Sequence, residues 1–390
     1  MEQSWRWFGP NDPVPLSHVR QAGATGIVTA LHHIYDGRVW TPDEIATRQQ
    51  MIAAAGLTWN VCESIPVHTS IKLRTGPWRQ YIDAWKDSLA HLGRAGISTV
   101  CYNFMPVVDW TRTNLMFRMP STGLALRFDI AEFVAYDALV LKRRGAEGDY
   151  SAELLERARA VLSAKTEAEI AQLETNIIAG LPGGEDSYTR EGIRDRIAAF
   201  DGVTPADMRA NLIAFLEEVV PVAEEVGVRL GIHPDDPPFS LFGLPRIVST
   251  SADIETLLAA VDRPANGLTL CAGSYGSRPD NDVPAIAARF GSRVNFVHLR
   301  NVTRDGDGSF TESDHLAGDV DMVALITALL TEERRREALG QAATIPMRPD
   351  HGHLLGFDGD RRSNPGYSYI GRLKGLAELR GVITALEARM

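Results

Sequence analysis

Four side chains able to bind a metal, His233, Cys271, His298 and Asp350, stand where four successive apolar runs of the sequence stop. Two imidazoles, a thiol and a carboxylate together make a donor set for a divalent transition metal. Each alone is weak. A lone histidine at a strand end is more often a hydrogen-bonded packing residue, and a lone buried cysteine usually behaves as a small hydrophobe. Four at equivalent positions favour the metal. Side chains two apart on a strand share a face, so His298 goes with Arg300, and Arg348 with Asp350. One reading is that Arg300 and Arg348 hold a substrate carboxylate through the guanidinium fork. The equal alternative is a structural ion pair at the rim of the sheet.

His351 follows Asp350 directly. An imidazole with an unperturbed pKa of about 6.5 suits proton transfer near neutrality, whereas the bland reading is a loop histidine facing solvent. Asn364-Pro365-Gly366-Tyr367-Ser368-Tyr369 is a turn presenting two tyrosines. An aromatic after a Pro-Gly turn is more often a packing anchor, and on residue type alone Tyr367 reads that way. In the first half of the chain Trp7, His32, His33, Glu63, His68 and Asn103 fall at or near the ends of four earlier apolar runs. They are expected to line the opposite wall and bind substrate hydroxyls. His18 and His91 lie in helical patterns and are expected at the surface.

The elements that must position these residues can be counted. Eight short, β-branched runs span 5–8, 26–31, 58–62, 98–103, 228–232, 267–270, 293–297 and 343–347. Helical stretches separate them. Thr41-Pro42-Asp43-Glu44 has the form of a capping box with proline at the first helical position, and Gly56 can end that helix. Residues 78–92 are helical in pattern, Thr204-Pro205-Ala206-Asp207 opens another helix ending near Gly227, and 373–389 forms a last one. Strand–helix alternation predicts a parallel sheet, and eight units predict an α/β (β/α)8 TIM barrel. In such a barrel the C-terminal strand ends converge on one mouth, so ligands distant in sequence can meet there. An open doubly wound sheet is the alternative, but no GxGxxG opens a helix after the first strand.

Residues 110–225 exceed one connection and read as a helical insertion between strands four and five. It includes a charged, alanine-rich stretch (146–175) and the punctuation Gly180-Leu181-Pro182-Gly183-Gly184. It is expected either to cover the mouth as a lid or to make a subunit contact, so a homo-oligomer stays open. The expected organisation is one catalytic barrel domain over 1–390.

A formal net charge of −10 argues against nucleic acid and anionic membrane as partners. No apolar run approaches the roughly 20 residues that span a bilayer, and the first residues have no signal-peptide pattern. Three scattered cysteines without a CxxC pair point to a reducing, cytoplasmic setting.

The sequence resembles the mannonate dehydratases, sugar-acid lyases of hexuronate (glucuronate) breakdown with a xylose-isomerase-like barrel. The likeness runs essentially end to end. It is carried by Trp5-Arg6-Trp7-Phe8-Gly9-Pro10-Asn11-Asp12-Pro13, Ala30-Leu31-His32-His33-Ile34 and Gly231-Ile232-His233-Pro234-Asp235-Asp236-Pro237-Pro238. It continues in Leu270-Cys271-Ala272-Gly273-Ser274, Val297-His298-Leu299-Arg300-Asn301, Arg348-Pro349-Asp350-His351-Gly352-His353 and Pro365-Gly366-Tyr367-Ser368. The resemblance implies dehydration of D-mannonate to 2-dehydro-3-deoxy-D-gluconate. It implies Mn²⁺ or Fe²⁺ on His233, Cys271, His298 and Asp350, with proton transfer by His351 and Tyr367. Ligand softness alone would suggest zinc or iron before manganese. The alternatives are a metal-dependent sugar or sugar-acid isomerase, and a catalytically inactive sugar-acid-binding barrel.

Overall fold

The computed structural model describes residues 1–178 and 189–390, so the expected Gly180–Gly184 punctuation lies outside the described residues. Twelve strands are described: β1 (Glu2–Arg6), β2 (Gly26–Thr29), β3 (Thr58–Glu63), β4 (Thr99–Tyr102), β5 (Asn114–Arg118), β6 (Leu124–Phe128), β7 (Arg229–Ile232), β8 (Leu268–Cys271), β9 (Val294–His298), β10 (Val302–Arg304), β11 (Phe310–Glu312) and β12 (Pro346–Arg348). Eight of them close a parallel barrel in the order β1-β12-β9-β8-β7-β4-β3-β2. The TIM barrel expected from the alternation is present, and each of its strands overlaps one of the eight apolar runs.

Local chemistry sets the helices between the strands. Thr41 Oγ1 accepts from Glu44 N while the Glu44 carboxylate accepts from Thr41 N, which starts the helix Pro42–Ala54. Thr204 and Asp207 start Pro205–Glu225 in the same way. Gly56 then takes a positive φ of 71°, a turn that costs a residue with a Cβ more.

Period-two alternation decides what enters the barrel. Val28, Val61, Cys101 and Phe296 form one fully buried cluster, each from a different strand. Two residues onward, on the same faces, stand Glu63, Asn103 and His298, at the carboxyl ends of their strands. Gly231 keeps β7 close to β8, since a Cβ there would lie 2.7 Å from Thr269 Oγ1.

The segment between β4 and β7 is not wholly helical. It opens with the hairpin β5–β6, which the sequence reading did not contain, and continues as helices including Ala152–Ser163 and Glu167–Ile178. The hairpin joins β10 and β11 in a second, antiparallel sheet of order β10-β11-β6-β5. These strands are short, and the pairing that joins them into one sheet, Phe128 of β6 with Phe310 of β11, bridges almost two hundred residues, so no local pattern marks the sheet. His18 and His91 are half-buried rather than at the surface, and His91 Nδ1–H donates to the Trp40 carbonyl at 2.8 Å.

Candidate metal centre and active site

His233, Cys271 and His298 bring one donor atom each to within 4.8 Å of the others. His233 Nδ1–H donates to the Pro234 carbonyl at 2.7 Å, which fixes the tautomer and leaves the Nε2 lone pair facing His298 Nδ1 at 3.2 Å. His298 turns its other nitrogen toward Glu63 Oε1, 3.5 Å away. Asp350 Oδ2 lies 3.7 Å from His298 Nδ1 and 3.9 Å from Cys271 Sγ. These four donors fit a divalent transition metal in number, type and convergence.

Asp350 has a φ of +63°, in the left-handed region that aspartate tolerates better than most residues. The break in strand geometry lets consecutive side chains, Asp350 and His351, both line one pocket with Glu63, Asn103, Arg348 and Tyr367. Strict alternation would have turned His351 away.

The three cysteines are all buried and unpaired, yet they differ. Burial pushes the Cys62 and Cys101 thiols up. Burial acts on Cys271 too, but the Arg300 guanidinium and hydrogen bonds with His233 and His298 outweigh it and hold this thiol well below its usual range. Ser274 Oγ also stands 3.2 Å from Cys271 Sγ. A low-pKa thiol is a metal ligand or nucleophile, whereas a raised one is inert packing. Cys62→Ala and Cys101→Ala should therefore cost stability alone, about 0.5–3 kcal/mol each, with metal content unchanged. Cys271→Ser should lose most bound metal while the barrel's far-UV circular dichroism persists; a full metal complement in that variant would make Cys271 a packing residue.

Both predicted arginines end on carboxylates. Arg348 Nε and Nη2 donate to Glu63 at 3.1 and 2.9 Å, and Nη1 contacts Asp350 Oδ1. Arg300 pairs with Glu312 at 2.6 Å, with Asp350 Oδ2 at 2.7 Å and with Asp236. Four members of this network were not singled out from the sequence: Asp236, Glu312, Arg112 and Arg6. Arg112 binds Asp236 at 2.7 Å and Glu312 at 2.8 Å. Arg6 joins the other end through Glu63 at 2.9 Å. Asp236 at least lay in the block that follows His233. Glu312 and Arg112 arrive with the second sheet and the hairpin, and carried no local signal.

Glu312 also accepts a hydrogen bond from His351 Nδ1–H at 3.0 Å, which leaves His351 Nε2 with its lone pair. Burial raises the Glu312 carboxyl, but Arg300, His351 and Arg112 together bring it down to about 2. A depressed carboxylate binds fewer protons folded than unfolded, so its stabilisation is complete above its ordinary value of 4.5 and is lost as pH falls toward about 2. Asp236 and Glu63 shift in the same direction under Arg112 and Arg300, and Arg348 and Arg6. The thermal midpoint should fall steeply between about pH 4.5 and 2; a flat midpoint across that window would contradict these ion pairs.

Tyr367 is buried, packs edge-on against His351 and Phe8 at 5.1 and 4.8 Å between ring centres, and lines the metal pocket. Burial pushes its phenol upward. Trp110 forms another wall, 5.8 Å from His351. Trp7 and His32 are placed elsewhere. Trp7 is buried under the Arg48 guanidinium, and His32 lines a separate chamber beyond Phe8 with His33. His68 stacks on Tyr81 at 3.7 Å, away from the metal pocket.

A family model described as D-mannonate dehydratase (UxuA) matches residues 1–390. The chain is 60% identical over 390 residues to mannonate dehydratase 2 of Agrobacterium fabrum, covering all of this chain and 98% of that one. It is 58% identical over 389 residues to mannonate dehydratase of Saccharophagus degradans, covering 99% of this chain and 98% of that one. Among solved structures it is similar to the mannonate dehydratase of Streptococcus suis serotype 2, with a TM-score of 0.78, 33% identity, and coverage of 100% and 95% of the two chains.

Proposed function

The chain belongs to the D-mannonate dehydratase family, and from that premise we propose how its barrel mouth dehydrates D-mannonate to 2-dehydro-3-deoxy-D-gluconate. It is an enzyme, a lyase acting on a small sugar acid. The observation that carries the proposal is the cluster of His233, Cys271 and His298 with Asp350 beside it, of which His233 and Asp350 line one pocket with His351 and Tyr367.

The reaction removes the C2 proton beside the carboxylate, expels the C3 hydroxyl, and leaves an enol that becomes the 2-ketone. His233, Cys271, His298 and Asp350 would hold Mn²⁺ or Fe²⁺. When bound, the ion supplies Lewis acidity that stabilises negative charge on substrate oxygen by several kcal/mol. His351 Nε2 takes the C2 proton, and Glu312 at the other ring nitrogen steadies the imidazolium that forms. Tyr367, held neutral by burial, gives its proton to the departing hydroxyl. Arg348, at the pocket edge, faces the acid, and Arg300, fully buried among carboxylates, positions Asp350. Glu63 orients His298, and Asn103 is placed to bind a substrate hydroxyl.

Charge supports an acidic substrate. Four arginines alternate with four carboxylates from Arg6 through Arg348 and Arg300 to Arg112 and cancel them. A divalent ion on one thiolate leaves a single positive charge, which a monoanion neutralises. Trp110 begins the 110–225 segment and walls the pocket, and Arg112 just after it holds Glu312 behind that wall, which favours the segment's reading as a cover over the mouth. Among the described residues no helix is long and apolar enough to cross a membrane. The three unpaired buried thiols favour a reducing, cytoplasmic setting.

The test is turnover of D-mannonate with Mn²⁺ or Fe²⁺ in D₂O. The expected product is a deoxy keto acid carrying deuterium at C3. A product that retains all its oxygens would indicate isomerisation and overturn the proposal.

A further inference from the structure

Beyond Phe8 the barrel mouth holds a second chamber of about 520 Å³, lined by Asn11, His32, His33, Arg48 and Met51 among others. Arg48 differs from the other guanidiniums around the mouth. Arg6, Arg112, Arg300 and Arg348 each end on a carboxylate. Arg48 is 6% exposed and has no carboxylate in ion-pair reach among the described residues. Its Nη1 donates to the Ala30 carbonyl at 2.7 Å and to Thr29 Oγ1 at 3.3 Å, while Nε and Nη2 have no hydrogen bond among the described residues. The one acid on the chamber wall, Glu44, turns Oε2 to Thr41 N and Oγ1 at 3.0 and 2.8 Å and makes no ion pair with Arg48.

His32 adds a second unmet demand. Both its ring nitrogens are buried and neither has a hydrogen-bond partner among the described residues. Burial, with Arg6 and Arg48 nearby, keeps the ring neutral, so it presents one donor and one acceptor. Buried polar atoms are almost always bonded, so the His32 imidazole calls for a partner, and the Arg48 guanidinium lines the same chamber beside it. A carboxylate satisfies the fork, and a hydroxyl, which donates and accepts, satisfies the imidazole. The partition is thin: Phe8 stands 5.5 Å from His32 on one side and 4.8 Å from Tyr367 on the other.

We propose that this chamber is a second hydroxy-carboxylate site, with Arg48 on the carboxylate and His32 on the hydroxyl, where the acid waits beside Phe8 before reaching the metal pocket. Its ligand class follows the sugar-acid substrate proposed above, so the experiment must report on the chamber separately from the metal.

The probe is sodium glycolate, a hydroxy-carboxylate with no third carbon from which hydroxide can leave. Calorimetric titration of the metal-loaded enzyme should find two sites, and after chelation one. Arg48→Gln should weaken the chelation-resistant site at least tenfold. His32→Leu breaks no hydrogen bond among the described residues and should weaken it similarly with an unchanged or higher thermal midpoint, which separates ligand loss from misfolding. Chelation-resistant binding that ignores both substitutions, or no such binding, would overturn the proposal. Inorganic phosphate run in parallel should bind more weakly than glycolate; tighter phosphate binding with the same Arg48 dependence would overturn the carboxylate assignment. If chelation removes neither site, the metal reading fails while the chamber stands or falls on Arg48 and His32 alone.

Discussion

Chelating the divalent metal should abolish turnover of D-mannonate, and adding Mn²⁺ or Fe²⁺ should restore it. Carbanion character beside a carboxylate is very unfavourable, and a Lewis acid contributes several kcal/mol against it. At about 1.4 kcal/mol per tenfold, that is a rate loss of at least about a thousandfold. The fold should survive. The barrel buries a continuous core independent of the metal donors, and a chain of 390 residues needs no structural metal. The thermal midpoint should drop by only the binding linkage of one ion. The two readouts separate catalysis from folding: activity measured after dialysis against chelator, and circular dichroism on the same sample. Full activity in protein shown by elemental analysis to hold no metal would remove His233, Cys271, His298 and Asp350 from the chemistry.

Tyr367→Phe should lower kcat by about 10²–10⁴-fold, the usual contribution of one positioned proton donor. The substitution deletes a single oxygen. The ring that packs on Phe8 and His351 stays, so metal content and thermal midpoint should change little. A group used only in the transition state lowers kcat and kcat/KM together, so KM for D-mannonate should hold. Tyr369→Phe is the control. Its ring lies 5.1 Å from His18 at the start of the last helix, and it does not line the metal pocket. It should leave kcat unchanged. Equal activity in Tyr367→Phe and parent enzyme would make Tyr367 a packing aromatic and leave His351 as the protein's proton-transfer group.

The two variants also probe where residue-level reading and resemblance parted. Residue type alone made Tyr367 a packing anchor, because a tyrosine on a Pro-Gly turn carries no sign of what its hydroxyl faces. Packing and pocket lining are both true of it: the ring is 3% exposed and the pocket lies beside it. Arg300 and Arg348 were expected from the sequence as face-mates of His298 and Asp350, and in the structure both meet Asp350. Which acid each would meet was not legible, because Glu63, Asp236 and Glu312 come from three other elements.

By itself the sequence determined the barrel and the rim. Hydrophobic periodicity, capping boxes at Thr41 and Thr204 and the glycines that follow the helices act over a few residues, so local physics writes them directly into the chain. The same locality placed four metal-binding side chains at strand ends. Only the tertiary structure decided what surrounds them. The left-handed turn at Asp350 brings His351 onto its neighbour's side. The second sheet delivers Glu312 to His351, and the hairpin segment delivers Arg112 to Glu312. Closure of the barrel leaves Arg48 as a buried cation without an acid among the described residues. Each depends on groups tens to hundreds of residues apart, and Coulombic and hydrogen-bond energies between such groups exist only once packing has fixed their separation.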